Sequence, residues 1–211
     1  MVNADAGAAR TLPPGSRDLD TKLVAALERV GQALRFELRE EARRYGLTPT
    51  QAQILLRVAS EPSPRRRVGA IAATLDVRQP TVSDAVAALE RKRLVERRPD
   101  PADARAAALR LTPRGQEVAA RLDAWDERAR SAVRRLPELD KERSLSLLLD
   151  LIANLQRAGV VGIARTCPTC RFFRSEVRPG GSPAHHCALL DVPLGARDLR
   201  LDCPEHEPAA A

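Results

Sequence analysis

A long apolar stripe near the start of the chain limits the fold more than any other feature. Leucine and valine recur there at three- and four-residue steps, which is the spacing of one face of an α-helix. The stripe consists of Leu19, Leu23, Leu27, Val30, Leu34 and Leu38. It predicts a helix from Asp18 to Tyr45, ended by Gly46 as a C-cap glycine. So long a helix is unusual inside one small domain and more often packs along a partner helix.

The composition also favours packed helices. Aromatic residues make up only 2% of the 211 residues, whereas β-sandwiches and barrels use them for strand pairing. No segment approaches the roughly 20 consecutive apolar residues of a membrane helix. Residues 1–17 have neither a hydrophobic period nor the apolar core of a signal peptide, so we expect a disordered arm and a cytoplasmic protein.

The pattern after Gly46 predicts a winged helix-turn-helix. Thr48 and Pro49 are typical of a helix start, and Pro80 begins a helix that runs to about Lys92. Two short helices joined by a tight turn and followed by a two-stranded hairpin define this fold. The expected elements are helices at 48–60, 68–75, 80–92, 112–136 and 140–158, and strands at 94–98 and 106–111. The sequence therefore predicts a mainly α protein.

The charge of this segment indicates a polyanionic partner. Residues 61–114 include 12 basic and 7 acidic residues. Their difference of 12 − 7 = +5 is most of the net charge of +7. Recognition helices contact bases near their N-terminal end, and an Arg on a hairpin can enter the minor groove. The candidate DNA-binding residues are Arg78, Gln79, Thr81, Ser83 and Asp84 on the helix, with Arg97, Arg98 and Arg105 on the hairpin. The alternatives are a solvated charged surface or a wing that contacts protein.

Three segments resemble the multiple-antibiotic-resistance-regulator (MarR) family. They are LTPTQ at 47–51, RQPTVSDAVAALERKRLVERRPDPADARA at 78–106 and LTPRG at 111–115. Asp103 and Arg105 match the family's hallmark in the wing, where the Asp braces the hairpin and the Arg enters the minor groove. Gln79 stands where the family often has a Ser or Thr N-cap. The resemblance extends over residues 18–158, with the winged-helix core at 48–115.

This resemblance implies a dimeric transcription factor. The first helix and the last two would intertwine between two copies, and each winged helix would take one half-site of a pseudo-palindromic DNA operator. The half-sites would lie about one helical turn apart, ~34–36 Å. The family implies a repressor, and a small-molecule effector between the dimer helices and the winged helix is consistent with it.

The other marked feature is a cysteine-rich extension at residues 159–211. All four cysteines and all three histidines fall in the last 45 residues. Cys167 and Cys170 form a C-x2-C pair, and Cys187 and Cys203 follow singly. In a cytosolic protein this clustering favours metal or redox chemistry, because thiolates are soft ligands.

Three interpretations of the cysteines remain open. A zinc ion would use Cys167, Cys170, Cys203 and His206, or all four cysteines. A [4Fe–4S] cluster would take the four cysteines. The cysteines could also be thiols or disulfides. The segment CPTCRFF…HCALL…LDC resembles the cluster-binding half of high-potential iron–sulfur proteins, with Phe172, Phe173, Leu189 and Leu190 as the shield and Pro204 where that family has Trp.

The sequence thus supports two functional hypotheses. In the first, the chain is a dimeric DNA-binding regulator that responds to redox or metal state through its C-terminal centre. In the second, the cysteines form the active centre of a redox or electron-transfer protein and the helices are a scaffold. The sequence shows no catalytic triad, phosphate loop or dinucleotide fingerprint, so we expect no enzyme activity.

Overall fold

A computed structural model describes residues 18–100, 103–177 and 183–209, so the disordered arm predicted at 1–17 lies outside the described residues. The chain is mainly helical, as predicted. Its helices are α1 (Leu19–Arg44), α2 (Pro49–Ser60), α3 (Val68–Leu75), α4 (Gln79–Arg91), α5 (Pro113–Leu122), α6 (Glu127–Arg134) and α7 (Glu138–Arg157). Its strands are β1 (Val95–Asp100), β2 (Asp103–Leu111), β3 (Phe173–Arg174), β4 (His185–Cys187) and β5 (Val192–Leu194).

Helix α1 is the long helix that the apolar stripe predicts. The Asp18 side chain accepts a hydrogen bond from the Thr21 amide at 2.7 Å and caps its N-terminus. Only Leu38 and Ala42, close to its C-terminal end, are buried. Leu34 is half-buried, and the earlier part of the stripe is exposed, with 69% of the Leu19 surface accessible. Among the described residues, the apolar side chains in the first half of α1 therefore have little to pack against.

Helices α2, α3 and α4 enclose the main core. Thr48 and Gln51 form a capping box at the start of α2, as the sequence predicts. Asp76 ends α3 in the left-handed region, at φ 52°, and this sharp turn directs the chain into α4. The fully buried core side chains include Ile54, Leu55, Val82, Val86 and Leu89. The helix-turn-helix is therefore confirmed.

The wing is an antiparallel hairpin of β1 and β2, in which Val95 pairs with Leu111. Helix α5 begins directly behind it and passes very close to its base. A Cβ placed on Gly115 would lie 1.9 Å from the carbonyl oxygen of Leu94. The glycine of the LTPRG segment is therefore required by a close approach between the start of α5 and the base of the wing.

Several predicted boundaries were wrong, including the three described here. Helix α4 begins at Gln79, so Arg78 takes the N-cap position and Pro80 the second position of the helix. Strand β2 begins at Asp103 instead of 106. The single helix predicted over 112–136 is broken after Leu122, because the chain turns there and brings Trp125 onto the main core. The helical period does not reveal this turn, because the contact of Trp125 is with a core built from distant segments.

The extension after α7 is more ordered than the irregular tail that the sequence predicts. Strands β3, β4 and β5 form a small antiparallel sheet in chain order. Cys167 and Leu199 pack against Leu149 of α7 in a second apolar cluster. The Arg197 guanidinium Nε donates to the Glu142 carboxylate at 3.0 Å and fixes the same face. No described helix is both long and apolar enough to span a bilayer.

Candidate nucleic-acid interface and cysteine cavity

The N-terminal end of α4 presents a polar surface. Val82, Val86 and Leu89 face the core, so the opposite side of the helix faces solvent. Arg78, Gln79, Thr81 and Asp84 are exposed, and Ser83 is half-buried. Arg78 forms no ion pair with any described residue. An unpaired guanidinium beside amide and hydroxyl groups is the side-chain set that reads bases and binds phosphates in a major groove.

Two arginines of the wing are held by neighbouring carboxylates. Arg97 lies 3.2 Å from Glu90 of α4, and Arg98 lies 2.9 Å from Glu96 of the same strand. The hydrogen bond between Arg98 and Glu96 lowers the pKa of Glu96 below its usual value. Arg105 lies near the start of β2, on the strand that leaves the tip of the wing. The wing therefore carries basic residues along both strands.

An arginine that directly precedes α3 contacts the two strands at the tip end of the wing. Arg67 Nε donates to Asp100 Oδ2 at 2.7 Å, and its Nη1 lies 3.5 Å from Asp103 Oδ2. The Asp100 side chain is fully buried. Asp103 therefore has Arg67 as an ion-pair partner, and its role as the brace of the wing stays a prediction. Sequence reasoning missed Arg67 and Asp100, because it used the run of three arginines at 65–67 only as charge.

The four cysteines line one cavity of about 330 Å³ in the extension. The Cys167 amide donates to the Arg200 carbonyl at 3.1 Å, and the Cys203 amide donates to the Arg165 carbonyl at 2.9 Å. These two bonds pair the segments on either side of the cavity. Cys170 follows Cys167 across a single 3-10 turn, and β4 brings Cys187 to the opposite wall. All four thiols are free.

Arg200 places hydrogen-bond donors beside two of the four sulfur atoms, and the Cys203 thiol donates to the Glu205 carboxylate. The Arg200 amide donates to Cys167 Sγ at 3.2 Å, and the Arg200 guanidinium lies 3.7 Å from Cys203 Sγ. Burial raises the pKa of the Cys167 thiol, and burial likewise raises the pKa of Cys203. Both thiols are therefore protonated at neutral pH, and a bound cation must displace those protons. Arg200 is a site residue that no cysteine spacing could indicate.

Most of the apolar residues that the sequence predicts as a shield line the cavity, whereas His206 does not. Phe172, Leu189 and Leu190 line the cavity. Phe173 does not line the cavity and packs instead in the apolar cluster against α7. His206 does not line the cavity, and its Nε2 lies 2.9 Å from Thr169 Oγ1. Among the described residues, no three His, Cys, Asp or Glu side chains lie close enough to bind one metal ion.

A separate open cleft of about 990 Å³ lies between the winged helix and the neighbouring helices. Its apolar lining includes Leu38, Leu56 and Trp125. Arg57, Arg66 and Arg110 also line it, together with the acidic residues Glu96 and Asp123. The cleft therefore combines apolar, basic and acidic side chains, and its volume suits a small amphipathic molecule.

The winged helix is similar to one protein-family model and to several solved transcriptional regulators. Residues 45–106 match the model of the MarR family. The transcriptional repressor CouR bound to a 23-mer DNA duplex has 29% identity and a TM-score of 0.51, over 64% of this chain and 94% of its own. The transcriptional regulator PA3341 has 26% identity and a TM-score of 0.57, over 64% and 98%. The MepR–DNA complex of S. aureus has 22% identity and a TM-score of 0.58, over 65% and 99%. No curated protein sequence matches.

These matches establish a MarR-type winged-helix fold. The chain spans nearly the whole length of each solved regulator, while about a third of the chain lies outside each match. The family model ends at the wing, at residue 106. The cysteine cavity must therefore be interpreted from its own residues.

Proposed function

We propose that this protein is a sequence-specific DNA-binding transcriptional repressor. The observation that carries the proposal is the exposed polar N-terminal end of α4, which stands clear of the core beside a basic wing. Its similarity to a repressor solved on a DNA duplex supports the same conclusion. Arg78 and Gln79 would read base edges in the major groove, and Arg105 would enter the minor groove.

The repressor acts as a homodimer. Leu23, Val24 and Val30 of α1 remain 54%, 66% and 58% exposed, and Leu147 of α7 remains 70% exposed. Apolar rows of this extent on two long helices are unfavourable in water and are typical of an interface. A second copy is the occupant we propose, because an intertwined pair would place two α4 helices on successive half-sites of one operator.

The dimer is tested by Leu23→Asp. Removing the Leu23 side chain from the dimer interface lowers the free energy of association by about 1 kcal/mol per copy. Burying the aspartate carboxylate in its place costs more, so the dimer dissociation constant should rise at least about 100-fold. Gln32→Asp is the matched control, because Gln32 lies on the opposite side of α1 and is exposed. Sedimentation equilibrium measures both. Equal dissociation constants would contradict this interface.

DNA binding is tested with duplexes that the full-length protein selects from a randomised pool. Fluorescence anisotropy should show that affinity falls steeply with salt, with a log–log slope of about −0.9 per phosphate contact. Arg105→Ala should weaken binding strongly, and Arg78→Ala or Gln79→Ala should relax preference by about 1–3 kcal/mol at the affected base. Arg174→Ala is the control, because Arg174 donates only to tail carbonyls. No selected sequence and no salt dependence would refute the proposal.

The cysteine cavity makes the repressor responsive to iron or redox state, and its ligand is a [4Fe–4S] cluster. A cluster takes one thiolate at each of four corners, so its ligands stand farther apart than those of a single ion. Four cysteines around one cavity supply the four thiolates that such a cluster needs. The amide and guanidinium donors at Cys167 and Cys203 fit it as well, since such bonds tune cluster sulfurs.

Two substitutions distinguish the cluster from a zinc site. Cys187→Ser removes a cluster ligand but leaves the set Cys167, Cys170, Cys203 and His206. His206→Gln removes a ligand of that set only. Anaerobically purified protein should be brown and contain iron, and Cys187→Ser alone should abolish the colour. Colourless protein whose zinc content falls in His206→Gln would overturn the cluster assignment.

The cleft beside α5 is the proposed site for an effector. Its apolar side chains favour a small aromatic molecule, and its three arginines outnumber its two carboxylates, which favours a carboxylate on that molecule. Benzoate at millimolar concentration should raise the melting temperature of the full-length protein, and Trp125→Ala should abolish the shift. An equal shift in that variant would place the binding elsewhere.

A further inference from the structure

A short segment joins the cysteine cavity to the wing. We define the connector as residues 61–67, which run from the end of α2 to the start of α3 and include a 3-10 turn at Ser63–Arg66. The connector packs against β2 on one side and α3 on the other. It therefore touches both the wing and the helix-turn-helix, and it also binds the tail.

Arg65 holds the tail at one end of the connector. Its Nη2 donates to the carbonyl oxygens of Pro204 at 2.7 Å and Cys203 at 3.3 Å. Its Nη1 lies 3.7 Å from the Asp202 carboxylate. The two carbonyls are that of a cavity cysteine and that of the residue after it, and the carboxylate belongs to the residue before it. The position of Cys203 and the position of Arg65 are therefore mechanically linked.

The buried carboxylate of Glu61 joins the connector to α2 and to the tail. The Glu61 side chain is only 8% exposed and lies 3.3 Å from each of three guanidinium groups, those of Arg57, Arg65 and Arg165. Arg57 and Arg165 also reach Asp202, at 3.0 and 2.7 Å. Three arginines and two carboxylates, contributed by α2, the connector and the tail, thus form one continuous network.

Arg67 holds the wing at the other end. It binds the buried Asp100 and approaches Asp103, the two residues that pair at the tip end of the hairpin. Arg67 is also the residue that precedes the first turn of α3. A displacement of the connector therefore changes both the wing brace and the entry to the helix-turn-helix.

We propose that the connector transmits the occupancy of the cysteine cavity to the wing. A ligand bound to Cys203 fixes residues 202–204, and Arg65 then holds the connector in the position from which Arg67 braces the hairpin. When the ligand is lost, the Arg65 bonds to the tail remain, but the 203–204 backbone that they hold is more mobile, so the wing is braced less firmly. This regulation rests on the proposed function, because a looser wing matters only if the wing grips DNA.

Hydrogen exchange of the full-length protein tests the connection without DNA. In metal-free protein, Arg65→Ala should speed exchange of the β1 and β2 amides about fivefold relative to wild type, because charged hydrogen bonds to two carbonyls are lost. Arg171→Ala is the matched control, since Arg171 pairs with Glu207 within the tail. It should leave wing exchange unchanged. Arg65→Lys should give a smaller increase, because an ammonium replaces the two-pronged guanidinium.

The second arm compares protein reconstituted with iron and sulfide with the metal-free form. Wing exchange should slow on loading in wild type and in Arg171→Ala, and it should not respond in Arg65→Ala. An equal wing exchange in wild type and Arg65→Ala without metal overturns the proposal whether or not a cluster binds. Faster exchange throughout α2 and α5 as well as the wing would also overturn it, since that is general destabilisation. Visible absorption reports whether the cluster is bound, and fluorescence anisotropy reports whether DNA is bound, so both are measured independently of wing exchange.

Discussion

Glu61 is the residue through which the structure can be tested most sharply. Its carboxylate is buried and accepts hydrogen bonds from three guanidinium groups, each of which takes part in holding the tail against the rest of the protein. Glu61→Gln keeps the shape of the side chain and one carbonyl acceptor but removes the charge. The three arginines would then share only the Asp202 carboxylate, and they would repel each other at close range.

The expected cost follows from the burial of the group. Breaking a fully buried ion pair costs about 3–5 kcal/mol, whereas an exposed pair contributes about 0–1 kcal/mol. Arg57, Arg65 and Arg165 are 36%, 20% and 15% exposed, so their charges are partly hydrated. Part of the cost is also recovered, because a glutamine is easier to bury than a carboxylate. We expect a loss of about 2 kcal/mol in the free energy of unfolding.

Urea unfolding at one protomer concentration measures this loss, because dimer stability depends on concentration. A cost of about 2 kcal/mol corresponds to a fall in melting temperature of about 4–8 °C for a chain of this size. Glu90→Gln is the matched control: Glu90 makes one pair, with Arg97, and both side chains are well exposed. It should cost less than about 0.5 kcal/mol. If Glu61→Gln lowers the free energy of unfolding no more than Glu90→Gln does, the network does not contribute to stability.

Three further predictions concern separate contacts. Gly115→Ala should destabilise the protein by about 2–3 kcal/mol in urea, because the new methyl group meets a backbone carbonyl that cannot move alone. Leu149→Ala should cost about 2–4 kcal/mol and speed proteolysis of the tail, because Leu149 is fully buried beneath it. Burial holds the pKa of His206 below 6.5, so an NMR titration should find it neutral at pH 7, and its contribution to tail stability should be present above about pH 6.5 and lost as the pH falls through the folded pKa. A His206 pKa of 6.5 or higher would contradict the packing described.

The parts of the fold that repeat a local pattern could be predicted from the sequence. The apolar stripe of α1, the capping box at Thr48 and the order of helices and strands in the winged helix all depend on neighbouring residues. The turn at residues 123–126 could not be predicted in this way. It exists because Trp125 packs on a core assembled from distant segments, and that contact has no signature in the residues beside it.

The same distinction applies to the candidate sites. The spacing of the cysteines indicates a metal or cluster site, and the structure brings the four thiols around one cavity. The sequence could not indicate that Arg65 binds the carbonyls of residues 203 and 204, because more than 130 positions separate them. Basic residues were counted as one positive surface, yet Arg65 and Arg67 each have carboxylate partners within the fold. Charge balance along a chain does not reveal which charges are already neutralised.

That neutralisation leads to a prediction about DNA affinity. Arg98 is paired with Glu96 on the same exposed strand, so a phosphate must compete with this carboxylate for the guanidinium. Glu96→Gln should release Arg98 and remove a negative charge from the wing. We expect duplex affinity at low salt to rise about two- to fivefold, and the gain to shrink as salt screens the exposed charges.

The control is Glu117→Gln, which removes the same charge from an exposed position on α5 and has no ion-pair partner among the described residues. Anisotropy titrations of both variants against one selected duplex, at two salt concentrations, separate a local effect from a change in net charge. If Glu96→Gln binds no more tightly than Glu117→Gln, then Arg98 is not limited by its pairing. In that case the wing contacts DNA through other residues, of which Arg105 on β2 is the first to test.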